Sequence, residues 1–436
     1  MKEIKIGLLG FGTIGAGVVK LLSANSTLLE EKTGTRISLK SIVDLDITTD
    51  RGVNTEGIIL TRNAEEVLTD PEISVIIELI GGYEPARSFA LKAIAHGKHL
   101  VTANKALLAV HGEEIYAAAK THGVEVLFEA AVGGGIPVLS AIKGNMAANR
   151  FSTVLGIVNG TCNYILTRMT HEGADFAEVL KSAQELGYAE ADPTFDIEGV
   201  DTAHKLCLLL SLCFGTKIDL KDIYSEGITS ISSEDVDFAK SFGYRIKLLA
   251  IGKMDDGQIE ARVHPTMIPI DYPLADVNGV FNAIRLTGDF VGPVMFYGRG
   301  AGMDATASAV IGDVVDLSRN MGAGIARRCA PLGYLDNKVA TLKIKPIGEI
   351  ISKYYIRFQA LDRPGVLARI AGALGARGIS IASMIQTARS ASEVVPIVIM
   401  THEAREEDVR HALAEIDNFE VIRDKSNFIR IEDNLE

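Results

Sequence analysis

The sequence predicts an α/β protein with three parts. A parallel, doubly wound sheet comes first, an α+β region follows, and a small ferredoxin-like unit closes the chain. Two observations carry this prediction: strand and helix signals alternate over the first ~130 residues, and a β-α-β-β-α-β pattern begins near residue 353.

The first region, residues 1–132, alternates short apolar runs with helical stretches. The strand candidates are EIKIGLLG, ISLKSIVD, SVIIELI, KHLVTA and VEVLFEA, and the helix candidates between them include EPARSFALKAIAHG and EEIYAAAKTHG. Such alternation predicts a parallel sheet. A glycine turn feeding a helix near 304–320 is expected to return to this domain, so that about 304–335 completes it.

The middle region, residues 133–303, has longer helices, predicted over 160–170, 175–186 and 199–214. Strands such as LLAIGKM and ARVHPTMIPI follow them. Residues 336–352 are predicted to be a linker, and 353–436 the ferredoxin-like domain.

Composition limits the class of protein. The 436 residues carry a net charge of −12, which argues against nucleic acid or an anionic membrane as partner. The longest apolar run, near 206–214, is short of the ~20 residues that a membrane span needs. The N-terminus does not resemble a signal peptide, and the four cysteines lack disulfide or zinc spacing. We therefore expect a reduced, cytoplasmic protein.

A glycine-rich turn follows the first predicted strand and opens the first helix. Its residues are Gly10, Phe11, Gly12, Thr13, Ile14 and Gly15. In this context GxGxxG predicts a Rossmann-type dinucleotide site, because glycines let a pyrophosphate approach the helix N-terminus. Asp44, 29 residues after Gly15, is the expected acceptor for a ribose hydroxyl, and the long spacing requires an extended helix or loop. Since Arg51 could reach a 2′-phosphate, the choice between NAD and NADP stays open.

The stretch AQELGYAEADPTFDIEGVDTAHK, residues 183–205, is unusually acidic. It contains Glu190, Asp192, Asp196, Glu198 and Asp201, followed by Lys205. Gly187 should end one helix, and Pro193 is expected to keep its neighbourhood non-helical, which puts the first acids on a loop. Asp201 and Lys205 fall at i and i+4 of the next helix, which is apolar after Lys205. A lysine entering a core needs a partner, so we interpret the pair as functional rather than as a solvated surface pair.

A second lysine, Lys105, stands at the carboxyl end of a predicted parallel strand. Parallel sheets bind ligands at that edge. A cation at a helix start also faces an unfavourable dipole, which suggests a purpose beyond a solvated loop lysine.

These segments together resemble one family, the homoserine dehydrogenases. Within 183–205 the matching positions are Ala183, Gly187, Asp192, Pro193, Asp196, Gly199, Asp201 and Lys205. The glycine turn, the ANK segment, EAAVGGGIP (129–137), NGTCN (159–163) and GRGAG with TASAV (298–310) are similar to the family in the same order, over about 1–335. Residues 353–436 resemble an ACT domain, an amino-acid-sensing module, through the turn DRPGVL at 362–367.

The resemblance implies NAD(P)H-dependent reduction of L-aspartate 4-semialdehyde to L-homoserine, a step in threonine, methionine and isoleucine biosynthesis. In this interpretation Glu190 binds the substrate ammonium, and Asp196 and Asp201 shape the polar pocket. Lys205 polarises the aldehyde oxygen and gives it a proton, while Asp201 keeps Lys205 charged and oriented. Lys105 supports the same oxygen or contacts the cofactor.

The resemblance also implies cofactor and ion sites. The further cofactor-binding residues would be Asn104, Lys105, Gly187 and Gly302. A structural sodium ion would be bound by the Glu129 carboxylate and the carbonyls of Val132, Gly134 and Ile136, a set suited to a hard cation.

This sequence departs from the family at three positions. Val43 stands where NADP-preferring members are expected to carry arginine, which weakens the case for NADP. Cys162 replaces a usual threonine, and Ala305 a common proline. For the ACT domain the resemblance implies an amino-acid effector, L-threonine by the logic of the pathway, and for the whole chain a homodimer or homotetramer. It also implies that residues 133–303 are the catalytic and dimerisation domain.

Two rival functions stay open at the level of sequence. One is an acylating aldehyde dehydrogenase with Cys162 as nucleophile, since a cysteine near a helix N-terminus can be activated. The other is a non-catalytic amino-acid sensor built on an inactive dinucleotide fold; the presence of Lys105, Glu190, Asp201 and Lys205 argues against it.

Overall fold

The structure, a computed structural model, describes residues 2–386 and 394–433. Its strands are β1 (Lys2–Leu9), β2 (Thr35–Val43), β3 (Ile59–Thr61), β4 (Ile73–Glu78), β5 (His99–Thr102), β6 (Val126–Leu127), β7 (Phe151–Ile157), β8 (Tyr224–Ser225), β9 (Tyr244–Asp255), β10 (Gln258–Pro269), β11 (Phe281–Gly288), β12 (Gly292–Arg299), β13 (Lys343–Ile344), β14 (Ile351–Leu361), β15 (Ile381–Gln386), β16 (Val394–Thr401), β17 (Ala404–Arg405) and β18 (Asn427–Ile431).

The helices are α1 (Thr13–Ala24), α2 (Ser26–Thr33), α3 (Ala64–Leu68), α4 (Ala86–Ala95), α5 (Lys105–His122), α6 (Val138–Lys143), α7 (Gly160–Glu172), α8 (Phe176–Glu185), α9 (Thr194–Ile197), α10 (Val200–Phe214), α11 (Ser233–Ser241), α12 (Met303–Gly322), α13 (Val366–Ala376) and α14 (Glu406–Ile416). In the described ranges no helix has both the length and the apolar character needed to cross a membrane.

The chain divides into two compact units. The first comprises 1–158, 203–221 and 281–342, and the second comprises 159–202, 222–280 and 343–436. Each is described by itself.

The first unit contains the predicted parallel sheet. Its strand order is β3-β2-β1-β4-β5-β6, so the chain winds outward from β1 in both directions. The extra spacing before Asp44 is explained by α2, a second helix between α1 and β2. The last strand is shorter than VEVLFEA suggested, because residues Glu129–Ala131 turn into a 3-10 helix.

Helix α12 packs against α1 in the same unit, as the sequence predicted for the stretch near 304–320. A Cβ on Gly17 of α1 would lie 2.8 Å from the Met303 side chain. The lack of a side chain at Gly17 therefore allows the two helices to approach, and apolar residues of both belong to one buried core. The unit also contains an antiparallel sheet in the order β12-β11-β7.

The second unit contains the ferredoxin-like domain, with the strand order β18-β14-β16-β15 and the helices α13 and α14 on it. This confirms the predicted β-α-β-β-α-β pattern. Strand β18 also pairs in parallel with β10 at Thr266 and Met267, and β10 forms a long antiparallel hairpin with β9. The sheet of the C-terminal domain is thus continuous with strands of the central region.

Buried ion pairs accompany this strand pairing. Arg430 of β18 is fully buried, with Nε 2.7 Å from Glu406 and Nη1 2.9 Å from Glu226 before β9. Arg262 of β10, 2% exposed, contacts Glu432 after β18. Because each buried charge has a partner of opposite sign, the contact avoids the cost of an isolated buried charge.

The expectation that Pro193 keeps its surroundings non-helical is wrong. Helix α9 begins at Thr194, directly after Pro193. Proline lacks an N–H, but the first turn of a helix needs no such donor, so proline starts a helix without loss. Gly187 does follow the end of α8, with φ +73°.

Candidate active site

The three glycines of the GxGxxG turn have different structural environments. Gly10 has φ +99°, and a Cβ there would lie 2.7 Å from the Leu79 carbonyl oxygen. A Cβ on Gly15 would lie 2.2 Å from the Gly10 carbonyl oxygen. At Gly12, in contrast, a Cβ would meet no atom within 4 Å. The first and third glycines thus close the turn, and the second leaves open space at the N-terminus of α1 for a pyrophosphate.

Asp44 lies at the end of β2 against this turn. Its Oδ2 accepts from the Phe11 backbone N–H at 2.5 Å and its Oδ1 from the Asp46 N–H at 2.8 Å. These two bonds fix the carboxylate where a ribose hydroxyl would be bound, so the site fits a dinucleotide.

A cavity of about 380 Å³ adjoins Asp44. Apolar side chains such as Leu79 and Phe89 line it together with one cation, Arg62. Arg51, the cation suggested by the sequence, instead forms an ion pair with Asp46 at 3.1 Å and does not line this cavity. Arg62 is therefore the charged residue placed beside the expected ribose position.

The edge of the parallel sheet contains a buried acid that the sequence did not single out. Glu78, at the end of β4, is fully buried; Oε1 accepts from the Ile80 N–H at 2.8 Å and Oε2 from the Thr102 hydroxyl at 2.6 Å. In the sequence, Glu78 is distinguished only as the acidic residue at the end of an apolar strand. Glu78 ties the ends of β4 and β5 together at the ligand-binding edge.

Lys105 is the first residue of α5, as the sequence suggested. Asn104 caps this helix by accepting from the Leu107 N–H at 3.0 Å, and its amide donates to the Gly82 carbonyl at 2.8 Å. The Asn104 side chain thus stabilises the loop before α5 and fixes the helix start from which Lys105 extends.

In the second unit, Asn159 joins two of the predicted carboxylates. Its side-chain amide donates to Asp196 Oδ1 at 2.7 Å and to Asp201 Oδ2 at 2.9 Å, and its carbonyl caps α7 at Cys162. Thr161 adds a bond to Asp196 at 3.3 Å. Asp201 is only 4% exposed. The sequence places Asn159 only within the NGTCN segment and gives no sign that it holds both acids.

Lys205 lies on α10, four residues after Asp201, so both project from one helix face. Its ammonium donates to the Val158 carbonyl at 2.7 Å, and the residue is half-buried. The neighbouring His204 is 1% exposed, with Nε2 3.5 Å from the Tyr83 hydroxyl.

Glu190 and Asp192 lie on the exposed loop between α8 and α9, as predicted. Asp192 accepts from the Thr194 N–H at 3.1 Å, and the hydrogen bonds of Thr194 lower the pKa of its carboxyl. No such bond holds the Glu190 carboxylate among the described residues, so it is available to a ligand.

Gly187 and Gly302, the two other glycines predicted to contact the cofactor, both have positive φ, and a Cβ on either would meet no atom within 4 Å.

The predicted sodium residues form one loop in the first unit. Both Glu129 oxygens accept backbone N–H bonds, from Leu139 at 2.8 Å and Ser140 at 2.6 Å. Burial raises the pKa of Glu129. The Ile136 carbonyl accepts from the Val138 N–H at 2.8 Å. The Glu129 and Ile136 oxygens each keep a second lone pair, so these bonds leave them able to bind a cation.

Other metal chemistry has no evident site. In residues 2–386 and 394–433, no group of three or more His, Cys, Asp or Glu side chains is placed to hold a metal ion.

Cys162 is fully buried, and its thiol donates to the Asp196 carbonyl at 3.2 Å. A thiol in this position packs inside the protein rather than facing a substrate, which disfavours the acylating reaction.

Comparison with known proteins agrees with this geometry. Family models for the NAD-binding domain of homoserine dehydrogenase, for homoserine dehydrogenase and for the ACT domain match residues 10–129, 137–315 and 354–421.

Full-length relatives match as well. The chain is 45% identical to a homoserine dehydrogenase of Synechocystis over 98% of this chain and 99% of that one. It is 44% identical to one of Pseudomonas aeruginosa over 99% of each. A crystal structure of a homoserine dehydrogenase from Thiobacillus denitrificans superimposes with a TM-score of 0.94 at 45% identity, covering 99% of both chains. The chain therefore belongs to the homoserine dehydrogenase family, NAD(P)-dependent oxidoreductases that act on a CH–OH group, and it carries a C-terminal ACT domain.

Proposed function

We propose that Lys205 donates the proton when this enzyme reduces L-aspartate 4-semialdehyde to L-homoserine. The observation that carries the proposal is the placement of Lys205 one helical turn after Asp201, a buried carboxylate fixed by the Asn159 amide. A cation on the same face of a helix as a fixed anion keeps its charge and its direction.

The reaction needs a hydride and a proton. The nicotinamide, when bound, supplies the hydride to the aldehyde carbon. The aldehyde oxygen then gains negative charge, and the Lys205 ammonium stabilises this charge and transfers one proton to give the alcohol. General acid catalysis of this kind typically contributes about 10²- to 10⁴-fold.

The acids of the second unit would recognise the amino-acid part of the substrate. The unengaged Glu190 carboxylate binds the α-ammonium, and Asp196 with Asp201 forms the polar wall that Asn159 holds in place. Lys105, directed from the N-terminus of α5, supports the aldehyde oxygen or the cofactor.

For the cofactor we propose that both NADH and NADPH are used, with NADH preferred. Asp44 would accept from the ribose hydroxyls of NADH, and its charge would repel a 2′-phosphate. Arg62, on the wall of the adjoining cavity, would offset part of that repulsion.

Further assignments rest on the family alone. We propose a structural sodium ion at Glu129 and the carbonyls of Val132, Gly134 and Ile136, L-threonine as effector of the ACT domain, and a homodimer or homotetramer working in the cytoplasm. The domain boundaries proposed are 1–132 with 304–335, then 133–303, 336–352 and 353–436.

The decisive experiment measures oxidation of NADH and NADPH with L-aspartate 4-semialdehyde by the wild type, Lys205→Ala and Lys205→Arg. Robust wild-type turnover should fall by at least about 100-fold in Lys205→Ala. Lys205→Arg keeps the positive charge but gives up a proton poorly, so it should bind substrate and remain slow. Turnover by Lys205→Ala near the wild-type rate would remove Lys205 as the donor, and no wild-type turnover with either cofactor would favour the sensor function.

A further inference from the structure

We propose that Lys247, a buried lysine outside the substrate pocket, is a positioning residue for the reaction. Through Asn163 it fixes helix α7, whose first residues hold the carboxylates Asp196 and Asp201. The inference rests on the proposed function, in which those two acids bind the substrate and orient Lys205.

Lys247 lies on β9 and is only 2% exposed. Its ammonium donates to the Val277 carbonyl at 2.6 Å, to Asn163 Oδ1 at 3.1 Å and to Asn278 Oδ1 at 3.3 Å. All three acceptors are uncharged, and in the described part of the chain no carboxylate lies within 4 Å of Nζ. The three directed hydrogen bonds from the buried ammonium fix the relative positions of its acceptors. An apolar side chain would fill the same space at a lower free-energy cost of burial.

Asn163 is the residue that Lys247 holds. Its amide donates to the Val277 and Gly279 carbonyls, both at 3.0 Å, while its Oδ1 accepts from Lys247. One turn further along α7, the Thr167 hydroxyl accepts from the Gly279 N–H at 3.0 Å. This side of α7 is therefore bound to the turn at 277–279 by a set of directed hydrogen bonds.

The start of the same helix holds the active-site acids. The Asn163 N–H donates to the Asn159 carbonyl at 3.1 Å, so the two asparagines share the first turn of α7. Asn159 in turn donates to Asp196 and Asp201. Because one helical turn is only about 5.4 Å long and internally bonded, a shift at Asn163 moves Asn159 with it.

Through these hydrogen bonds the buried Lys247 affects catalysis without contacting the substrate. A misplacement of about 1 Å in a catalytic group can cost about 100-fold in rate. Loss of the Lys247 bonds would loosen Asn163 in the first turn of α7, and the carboxylates that Asn159 holds at the start of the same turn would lose their fixed position.

The test compares Lys247→Met with a matched control, Lys98→Met. Methionine keeps the length of the side chain and removes its donors. Lys98 is also 2% exposed and donates to the backbone carbonyls of Asp70 and Ile73, but it lies directly before β5, in the other unit. The two variants therefore separate the loss of any buried ammonium from the loss of this one.

We expect Lys247→Met to lower kcat and to raise the KM for L-aspartate 4-semialdehyde, for a combined loss of about 10- to 100-fold in kcat/KM. Its KM for NADH should stay within about twofold of the wild type, and Lys98→Met should leave all three constants unchanged. Unchanged kcat and KM in a folded Lys247→Met, or equal losses in both variants, would overturn the inference.

Asn278→Ala provides a second route if Lys247→Met does not fold. Asn278 is half-buried, and its removal deletes one of the three acceptors. A raised KM for the semialdehyde with an unchanged KM for NADH supports the inference, and wild-type constants overturn it. Lys205→Ala measured in parallel distinguishes the two proposals: if it retains activity, the proton-donor assignment fails, whereas the substrate KM of Lys247→Met still reports on positioning.

Discussion

The guanidinium of Arg357 donates from Nε to Asp235 Oδ1 over 2.7 Å, joining the first strand of the ACT domain to helix α11 of the central region. The Asp235 side chain is fully buried and also accepts from the Tyr355 hydroxyl at 2.9 Å and from the Asn427 amide at 2.9 Å. One central carboxylate thus accepts hydrogen bonds from three side chains of the ACT domain. The two regions are joined by a buried polar contact within one unit, as well as by the strand pairing of β10 and β18.

Removing this carboxylate should destabilise the protein. Asp235→Ala leaves Arg357 largely buried without its main partner, and breaking a buried pair in this way typically costs about 3–5 kcal/mol. The measurement is urea unfolding of the full chain. Glu234→Ala is the matched control, because Glu234 also pairs with Arg357, at 3.1 Å, but is 39% exposed in its side chain. That pair should be worth only about 0–1 kcal/mol, and equal losses in the two variants would contradict this account.

The same contact should weaken in acid. Burial by itself raises the pKa of Asp235, but the hydrogen bond and charge of Arg357 outweigh it and hold that pKa below its ordinary value of 3.8. The unfolded chain therefore takes up the proton first as the pH falls. The stability that Asp235 contributes is present above about pH 4 and is lost below it. The free energy of unfolding should be larger for the wild type than for Asp235→Ala at pH 6, and this difference should shrink as the pH falls toward 3.

Deleting the ACT domain should destabilise the rest of the chain. A chain ending at residue 352 lacks β18, which removes the strand that pairs with β10 at Thr266 and Met267. It also lacks Arg430 and Glu432, which form ion pairs with Glu226 and Arg262. Exposed strand edges promote aggregation. We expect the truncated protein to melt at a lower temperature and to aggregate at concentrations where the full chain stays dispersed. Unchanged melting on truncation would show that the ACT contact contributes little stability.

Cofactor preference should respond in opposite directions to two substitutions. Asp44→Asn keeps an acceptor for the Phe11 N–H but removes the charge that repels a 2′-phosphate, so the NADPH/NADH ratio of kcat/KM should rise about tenfold. Arg62→Ala should lower that ratio, because it removes the cation beside the expected ribose position. Steady-state kinetics with both cofactors tests this prediction. A ratio that stays constant in both variants would place the discrimination elsewhere.

Cys162 should prove dispensable for the chemistry. The buried thiol donates to the Asp196 carbonyl, and a serine hydroxyl can make the same bond. Cys162→Ser should therefore retain alcohol-forming activity within about twofold. A collapse of turnover on this conservative change would return the acylating reaction to consideration.

Local features of the sequence predicted much of the backbone architecture. The glycine turn, the alternation of strands and helices and the ferredoxin-like pattern were predicted because backbone constraints and apolar periodicity act over a few neighbouring residues. The i and i+4 relation of Asp201 and Lys205 also followed from sequence, since a helix fixes which residues share a face. The neighbourhood of Pro193 was predicted wrongly, because a proline that breaks a helix and one that starts a helix look alike without their surroundings.

Tertiary structure decided which polar side chains meet. Nothing near Asn159 in the chain indicates that its amide joins Asp196 to Asp201, and Lys247 stands in an apolar strand far from Asn163 and Val277. Arg62 rather than Arg51 lines the cavity beside Asp44 for the same reason. Hydrogen bonds and ion pairs require two polar atoms to lie about 3 Å apart, and in this protein they join residues tens of positions apart in the sequence. Only the packed chain determines those distances.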